Sequence, residues 1–387
     1  MRQSPKRRRV LIVTAAMGSG HLQVSREIAD RLNRLGHDAR IVDVNALMVG
    51  PLGRWIERGY PWLVNRAPWL YDAIFRTCFK AEQHRGERAA VPARLALPRL
   101  RRLVADFRPH VVVSTYHIAA LAVARLRAGG RLGAPAVTFI TTFGVHDLWL
   151  HPATDAYLCI ADGAAEQVRR RSDAPVIVCG PVVRERFDGG HRTRGDARRV
   201  LGLPDVDYVA LIVAGSLGMG AVERAYATVA AMPGWLPVAV CGRNGELRDR
   251  LQQAGPGVVL GWVEDMATLM SAADVLIDNA GGLSAKEALA LGVPVVTFNP
   301  IAGHGRDDAL AMERLGLTDV IDSAGALIDA LQRLAVPSVD RRARIRRGRS
   351  LFVGDAAQAI LDLVHGRQPG TVLADEVAVT ETPNGVG

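Results

Sequence analysis

The chain has 387 residues, 49% of them hydrophobic, and a formal net charge of +9 that comes mostly from arginine. This length and composition suit a soluble protein of about two domains. The four cysteines are far apart and have no CxxC spacing, so neither a disulfide framework nor a zinc site is indicated, and no apolar run reaches the roughly 18 residues that a membrane span needs. The charge favours anionic partners such as nucleotides or acidic lipid surfaces, although a solvated arginine-rich surface would have the same composition.

The first half of the chain alternates between strand and helix patterns. The run RVLIVTAA, which starts at Arg9, predicts a buried core strand rather than a signal peptide, because a GSGH turn and a long amphipathic helix follow it. Further short runs rich in Val and Ile are typical of parallel strands covered on both faces: 38–44, 110–115, 134–141, 155–161 and 174–180. We therefore predict a doubly wound α/β domain over residues 1–183.

Residues 50–82 interrupt this alternation with aromatic and basic side chains. Three tryptophans, Trp55, Trp62 and Trp69, are interleaved with arginines. Indoles favour the headgroup layer of a bilayer and guanidinium groups meet anionic lipid, so the stretch predicts contact with a membrane surface. Two helices packed in the core, or lining an acceptor groove, would have the same composition, and both interpretations stay open. Nucleic acid is not an expected partner, because no RNA-binding motif accompanies the charge.

The second half repeats the same plan. Charged residues, glycines and a proline over 184–205 predict a linker, after which strands and helices alternate again over 206–348. A helix is expected over 349–366. The remaining residues, 367–387, have no periodicity and are predicted to form a disordered tail.

Two glycine turns are the first candidate sites for chemistry. AAMGSGH at 15–21 and AGSLGMG at 214–220 each follow a strand and open a helix, where free backbone N–H groups favour an anion. Neither continues as GK[ST], and neither completes a dinucleotide fingerprint. His21 lies at the start of the first helix, whose positive end would keep the imidazole neutral and available as a base. A surface histidine satisfied by water is the alternative.

A third turn is more specific. The stretch NAGGLSAKE places Asn279 to Gly282 at a predicted helix start and Glu287 about a turn and a half inside the helix. A diphosphate held by the amides of the turn would bring the hydroxyls of an attached ribose within reach of the Glu287 carboxylate. The spacing therefore predicts a nucleotide diphosphate site.

With LIVAGSLGMG, VCGRN, NAGG, EALALGVPVV and PIAGHGRDDA in this order, the second half resembles the nucleotide-sugar domain of GT-B glycosyltransferases. More narrowly, GSGH, TTFGVHDLWLHPATDAYLCIA and CGPVVRERF in the first half make the chain similar to the group that contains monogalactosyldiacylglycerol synthases, bacterial diacylglycerol glucosyltransferases and, more distantly, the peptidoglycan transferase MurG. The resemblance covers residues 9–320. It implies an α/β fold of two facing Rossmann-like domains, a UDP-sugar bound by the second domain in the cleft, and no metal or other cofactor.

The resemblance also assigns residues. His21 and His146 would be catalytic, and Gly18, Ser19 and Gly20 would form the acceptor-side loop. The donor would be bound by Gly215, Ser216, Gly218, Met219, Gly220, Arg243, Trp262, Val263, Asn279, Ala280, Gly281, Gly282, Ser284, Glu287, His304, Arg306, Asp307 and Asp308.

The chain departs from the family at two places. Thr142 stands where the family usually has an aspartate, so His21 would act alone or with Asp147 or Asp155 as a substitute. His304 and Gly305 replace a Gln–Glu pair that contacts the sugar in relatives, so the resemblance does not identify the donor sugar.

The expected function is the transfer of a hexose, with inversion, from a UDP-sugar to a hydroxyl acceptor, with a membrane lipid such as diacylglycerol as the leading candidate. The expected location is the cytoplasm, or the inner face of the cell membrane as a peripheral protein. Three alternatives stay open: a soluble small-molecule acceptor, epimerisation of a UDP-sugar, and a non-catalytic sugar-nucleotide-binding partner, the last because of Thr142.

Overall fold

The computed structural model describes residues 7–17, 19–79, 91–187 and 192–366. It contains two six-stranded parallel sheets with helices on their faces, as the sequence predicts. The first sheet has the order β2-β1-β3-β4-β5-β6. Its strands are β1 (Arg9–Thr14), β2 (Asp38–Asp43), β3 (Val111–Ser114), β4 (Ala136–Ile140), β5 (Ala156–Cys159) and β6 (Val176–Val178).

The helices of this first domain lie between these strands along the chain. They are α1 (Gly20–Arg34), α2 (Val44–Leu47), α3 (Leu52–Arg66), α4 (Pro68–Phe79), α5 (Val91–Phe107), α6 (His117–Ala128) and α7 (Asp162–Arg169), with single 3-10 turns at Asp147–Trp149 and Glu185–Phe187. Strand β1 shows why an unbroken apolar run forms here. Val10 and Ile12 pack into the core on one face of the sheet, whereas Leu11 and Val13 pack into the core on the other.

The second sheet has the order β12-β11-β10-β7-β8-β9 and is also parallel throughout. Its strands are β7 (Tyr208–Val213), β8 (Trp235–Val240), β9 (Val258–Leu260), β10 (Val275–Asp278), β11 (Val295–Phe298) and β12 (Val320–Ile321). Its helices are α9 (Val222–Ala230), α10 (Gly245–Gln253), α11 (Met266–Ser271), α12 (Leu283–Leu291), α13 (His304–Arg314), α14 (Ala324–Ala335) and α15 (Val339–Arg349).

Two segments join the domains. The predicted linker over 184–205 contains the second 3-10 turn and a short helix, α8 (Arg194–Val200). At the other end, the chain forms α16 (Ala356–Val364), which packs against α1 of the first domain, and the Arg31 guanidinium lies 3.5 Å from the Asp355 carboxylate there. The tail predicted over 367–387 lies outside the described residues. Among the described helices, none is long and apolar enough to cross a membrane.

The sheet topology brings the glycine turns together. In the first sheet the strand order reverses between β1 and β3, and in the second between β7 and β10. Ligands of open α/β sheets bind at the carboxyl ends of the strands next to such a reversal. All three glycine turns follow strands at these points, after β1, β7 and β10 respectively. The fold therefore places turns that are far apart in sequence at one interdomain cleft.

Candidate active site in the interdomain cleft

The two halves meet through the glycine turns themselves. The Ser19 amide donates to the hydroxyl of Ser216 at 3.2 Å, although the two residues are 197 positions apart in the chain. A Cβ atom built on Gly20 would lie 3.7 Å from the Cβ of Leu283. The amino termini of α1 and α12 thus converge from opposite domains on one gap. Each helix end has free N–H groups and a partial positive charge, so the gap favours an anion.

Two cavities open from this gap. A polar cavity of about 690 Å³ lies between the domains and is lined by the turns after β1, β7 and β10. An apolar cavity of about 1030 Å³ is lined mainly by α3 and by the loop that carries residues 142–149. Five residues line both cavities and mark their junction: Met17, His21, Tyr60, Thr142 and His304.

His21 is at this junction and is held in a defined orientation. Its Nδ1 lies 2.9 Å from the backbone carbonyl oxygen of Thr115 and 3.2 Å from the Thr141 hydroxyl. A carbonyl oxygen can only accept, so Nδ1 carries the proton and Nε2 is left with a free lone pair. Burial lowers the pKa of His21 to about 4. The ring is therefore neutral near pH 7, as the sequence predicted, and burial is the main cause of the lowered pKa.

His146, the second predicted catalytic histidine, is placed differently. It lines the apolar cavity but not the polar one. Its ring makes an edge contact with His117, with centroids 5.0 Å apart, and lies close to Trp149. Burial lowers the pKa of His117 well below its usual value. His117 was not predicted, because a histidine at the first position of an apolar helix has no spacing that marks it as part of a site.

Glu287 lines the polar cavity, as its predicted role requires, but it already has a partner. Only 3% of the residue is exposed, and a carboxylate oxygen lies 3.2 Å from Nη2 of Arg184. Burial raises the pKa of Glu287 to about 7, against the opposing effect of the Arg184 charge. Arg184 directly follows the first domain in sequence. The motif around Glu287 could not predict this partner, because the two residues are 103 positions apart.

The turn at 279–282 corrects one expectation. The amides of Ala280 and Gly281, which were assigned to a diphosphate, both donate to the Asp278 carboxylate. Helix α12 begins only at Leu283, with Gly282 as its N-cap and no side chain capping it. The amides that have no intrahelical acceptor are therefore those of the first turn of α12, which includes Ser284. In this segment, the amides that could donate to an anion are those at the start of α12.

A buried ion pair fixes the loop that carries Thr142. The Asp308 carboxylate accepts hydrogen bonds from the amides of Phe143 and Gly144, which belong to the first domain. Its other oxygen lies 3.8 Å from Nζ of Lys286, which also donates to the Gly281 carbonyl at 2.7 Å. Asp308 was predicted to contact the donor, but these bonds commit much of its carboxylate to holding the loop. Lys286 was not predicted at all, since a single lysine in a helix is usually solvated.

Six of the predicted donor residues lie outside the wall of the polar cavity: Gly218, Gly220, Gly281, Arg243, Arg306 and Asp307. Gly220 has a structural role, because its φ is +94° and a Cβ there would come within 2.3 Å of the Asn279 side chain. Arg243 stacks behind the wall on the Trp262 ring, 4.8 Å from its centroid. The other predicted donor residues line the cavity: Gly215, Ser216, Met219, Trp262, Val263, Asn279, Ala280, Gly282, Ser284, Glu287, His304 and Asp308.

The acceptor-side loop and the possible substitutes for an aspartate at 142 can also be placed. Ser19 and Gly20 line the polar cavity, whereas Gly18 lies outside the described residues. Asp155 cannot replace the missing carboxylate, because it forms two hydrogen bonds with Arg127 at the amino end of β5, away from the cleft. Asp147 lines the apolar cavity but is paired with Arg171 at 2.8 Å.

The aromatic stretch forms the helical pair α3–α4, and its aromatic residues separate into two sets. Trp55, Trp62 and Trp69 are 71%, 61% and 73% exposed. Tyr71 is buried instead, and it packs together with Tyr60 against Ile301 and other residues of the second domain. Trp55 and Trp62 also line the apolar cavity, so both interpretations, contact with a membrane and an acceptor groove, are compatible with the structure of this stretch.

No group of three or more His, Cys, Asp or Glu side chains among the described residues could hold a metal ion. Positive groups at the polar cavity include the two helix ends and the side chains of Arg184, Arg186 and Lys286.

Sequence comparison finds known proteins that are similar to this chain. The family described as Monogalactosyldiacylglycerol (MGDG) synthase matches residues 21–183. A processive diacylglycerol beta-glucosyltransferase of Bacillus cereus (strain G9842) is 24% identical over 385 residues, which cover 93% of this chain and 94% of the relative. The Bacillus thuringiensis (strain Al Hakam) protein of the same name is similar to the same extent.

Solved structures support the fold. MurG of Acinetobacter baumannii superposes with a TM-score of 0.57 at 15% identity, covering 93% of this chain and 99% of that one. A UDP-glucosyltransferase from Polygonum tinctorium superposes with a TM-score of 0.62 at 15% identity, covering 94% and 99%. The fold is that of the GT-B glycosyltransferases. As its motifs predicted, the chain is similar to the monogalactosyldiacylglycerol synthases over residues 21–183 and to the diacylglycerol glucosyltransferases over most of its length, and its fold is like that of MurG.

Proposed function

We propose that this enzyme transfers a hexose from a UDP-sugar to a hydroxyl of a membrane lipid of the diacylglycerol class, with inversion at the anomeric carbon. The observation that carries the proposal is the junction of two unlike cavities at His21. One cavity is polar and borders an anion-favouring gap, and the other is apolar. A base between them would face a charged donor on one side and a lipid hydroxyl on the other.

The polar cavity suits the nucleotide part of the donor. The diphosphate would lie at the converging amino termini of α1 and α12, near the Lys286 ammonium, and the ribose hydroxyls would bind Glu287. The positive charge of these groups would stabilise the leaving UDP, so we propose that no metal takes part. Activity that is unchanged by a chelator is the expected result, and loss of activity that added Mg²⁺ restores would contradict it.

The apolar cavity suits the lipid part of the acceptor. It is lined by α3, and the same helical pair presents three exposed tryptophans next to exposed arginines such as Arg54 and Arg66. Such a surface would bind the interface of an anionic membrane and let an acceptor enter the cavity from the lipid phase. The relatives' names include a diacylglycerol acceptor. We accordingly propose a peripheral location on the cytoplasmic face of the membrane and no nucleic-acid partner.

The chemistry follows from the free lone pair of His21. Nε2 takes the proton of the acceptor hydroxyl as the oxygen forms a bond to the anomeric carbon. The bond from that carbon to the UDP oxygen breaks on the opposite face, and UDP leaves with the electron pair. The Thr115 carbonyl stabilises the protonated ring through Nδ1–H, a role that a carboxylate has in many other enzymes.

The test is to incubate the purified protein with one of several labelled UDP-sugars in each reaction, together with either diacylglycerol vesicles or a water-soluble acceptor. We expect labelled glycolipid and UDP in equal amounts, and a product whose anomeric proton coupling in NMR shows inversion. Label that appears only on a water-soluble acceptor would favour the small-molecule alternative, and interconversion of free UDP-sugars would favour an epimerase. UDP binding without turnover on any acceptor would leave the non-catalytic interpretation.

A further inference from the structure

The hexose of the donor must lie where the two cavities meet, because it connects the nucleotide to the attacking hydroxyl. Of the five residues at that junction, Met17, His21, Tyr60 and Thr142 belong to the first domain. His304 alone among these five comes from the second domain, which would bind the nucleotide. The orientation of its imidazole therefore affects the sugar more directly than it affects UDP.

A residue of the opposite domain holds this imidazole. The Tyr71 hydroxyl, on α4, lies 2.6 Å from Nδ1 of His304, and the two rings meet edge-on at an interplanar angle of 86°. Tyr60 packs edge-on against Tyr71, with centroids 5.8 Å apart, and its hydroxyl also hydrogen-bonds to that of Tyr71. Two phenols of the first domain and one imidazole of the second thus form a single aromatic cluster, in which Tyr71 is buried and the other two rings are partly exposed.

The hydrogen bond decides which edge of the imidazole faces the sugar. The ring of a histidine can turn over about its last side-chain torsion with little steric cost, which exchanges the positions of its nitrogen and carbon atoms. With Nδ1 bound to Tyr71, the ring edge that contains Nε2 faces away from that hydroxyl, so this hydrogen bond sets the rotation of the ring. His304 is the first residue of α13 and follows Gly303, whose φ is +72°. The backbone determines where the imidazole lies, whereas the rotation of the ring about its last side-chain torsion depends on the hydrogen bonds that it makes.

We propose that Tyr71 is a positioning residue that orients His304 for the donor hexose, so that the helical pair α3–α4 contributes to donor affinity from the opposite domain. This inference rests on the proposed glycosyl transfer. It assigns a role to a residue that no motif in the sequence distinguishes from its aromatic neighbours.

The experiment compares the parent with Tyr71→Phe, which removes only the hydroxyl. We expect the KM for UDP-glucose to rise about 5- to 20-fold, kcat to stay within about threefold, and the Kd for UDP to stay within about twofold. Tyr157→Phe is the matched control. It also removes a buried tyrosine hydroxyl of the first domain, but this one bonds only the backbone of His151, outside the cleft. We expect Tyr157→Phe to change the KM for UDP-glucose, kcat and the Kd for UDP by no more than about twofold each.

A double-mutant cycle tests whether Tyr71 acts through His304. In a His304→Ala background, Tyr71→Phe should have little further effect on the KM for UDP-glucose. Additive effects, or a Kd for UDP that rises in parallel with KM, would overturn the positioning role. An active parent whose KM is unchanged by Tyr71→Phe would overturn this inference alone, whereas a parent that transfers no hexose would overturn the proposed function with it.

Discussion

The polar and apolar cavities are built from the chain in different ways. The polar cavity draws on short strand–turn–helix segments, and the most informative of these, 279–287, is contiguous in sequence. The apolar cavity combines α3, the ends of several elements and the start of α13, which are distant in sequence. A contiguous sequence motif can therefore predict a nucleotide site, because such sites depend on backbone amides at a helix start. It predicts an acceptor site poorly when that site is formed by packing of segments that are distant in sequence.

His21, the proposed base, lies at the junction of the two cavities, and its replacement should have the largest effect on turnover. We expect His21→Ala to lower turnover by about 10² to 10⁴, the usual contribution of a positioned base, while UDP affinity stays nearly intact. Turnover and UDP calorimetry should be measured on the same samples. Parental turnover in this variant would remove His21 from the mechanism and favour a non-catalytic role.

The pH profile gives an independent check on the same residue. Burial lowers the pKa of His21 to about 4, so the ring stays neutral as the pH falls from 7 and becomes protonated only near pH 4. Loss of kcat caused by His21 should therefore begin only below about pH 5. A loss centred near the ordinary histidine pKa would contradict the buried neutral base.

The nucleotide side should show the next largest effect. Glu287→Ala should weaken UDP binding by roughly 1.5 to 3 kcal/mol, because charge-assisted hydrogen bonds to the ribose are lost. Calorimetry measures this, and Glu223→Ala, which removes an exposed carboxylate paired with Arg250, is the control. Unchanged affinity in Glu287→Ala would place the ribose elsewhere.

The raised pKa of Glu287 adds a pH dependence to this site. Because the pKa is about 7, the carboxylate is mostly ionised at higher pH and becomes protonated as the pH falls through that value. Parental UDP affinity should thus be greater near pH 8 than near pH 6, by up to about tenfold. Glu287→Gln corrects for the titration of UDP itself, and an equal pH dependence in this variant would contradict the prediction.

Removal of exposed tryptophans from α3–α4 should have a smaller effect, which is on membrane binding. Trp62→Ala/Trp69→Ala should lower binding to anionic vesicles on the order of tenfold while UDP affinity stays unchanged, because both indoles are exposed and lie away from the polar cavity. Vesicle sedimentation measures this. Val339→Ala/Val353→Ala removes exposed apolar side chains outside α3–α4 and should sediment like the parent. Equal sedimentation of the tryptophan variant would mean that α3–α4 does not bind the membrane.

The smallest effect is expected at the position where the family usually has an aspartate. Thr142→Asp should change turnover by no more than about threefold, because the Thr115 carbonyl already orients His21 through Nδ1. Steady-state assays with the lipid acceptor decide this. A large gain in turnover would mean that the parent lacks a carboxylate it needs, and that the carbonyl is a poor substitute.

Many residues of the polar cavity could be predicted from the sequence. What the prediction missed are contacts that a local motif does not contain. The sequence located Glu287 and the glycine turns because each depends on a strand that ends in a turn before a helix. It also placed a helix start next to residues 279–282, where Gly282 is the N-cap of α12, but small residues alone do not reveal that the Asp278 carboxylate accepts from two amides of this turn. Arg184 and Lys286 were missed because their roles depend on partners rather than on spacing.

The sequence by itself determined two doubly wound domains and their parallel strands, and it marked His21 as the candidate base, because apolar runs, glycine turns and helix starts are local features. Only the tertiary structure decided what surrounds that base. The Thr115 carbonyl at Nδ1, the Tyr71 hydroxyl at His304 and the Asp308 carboxylate on the loop at 143–144 all join distant segments, two of them across the cleft. Burial of polar groups requires such partners, and packing alone determines which residues meet.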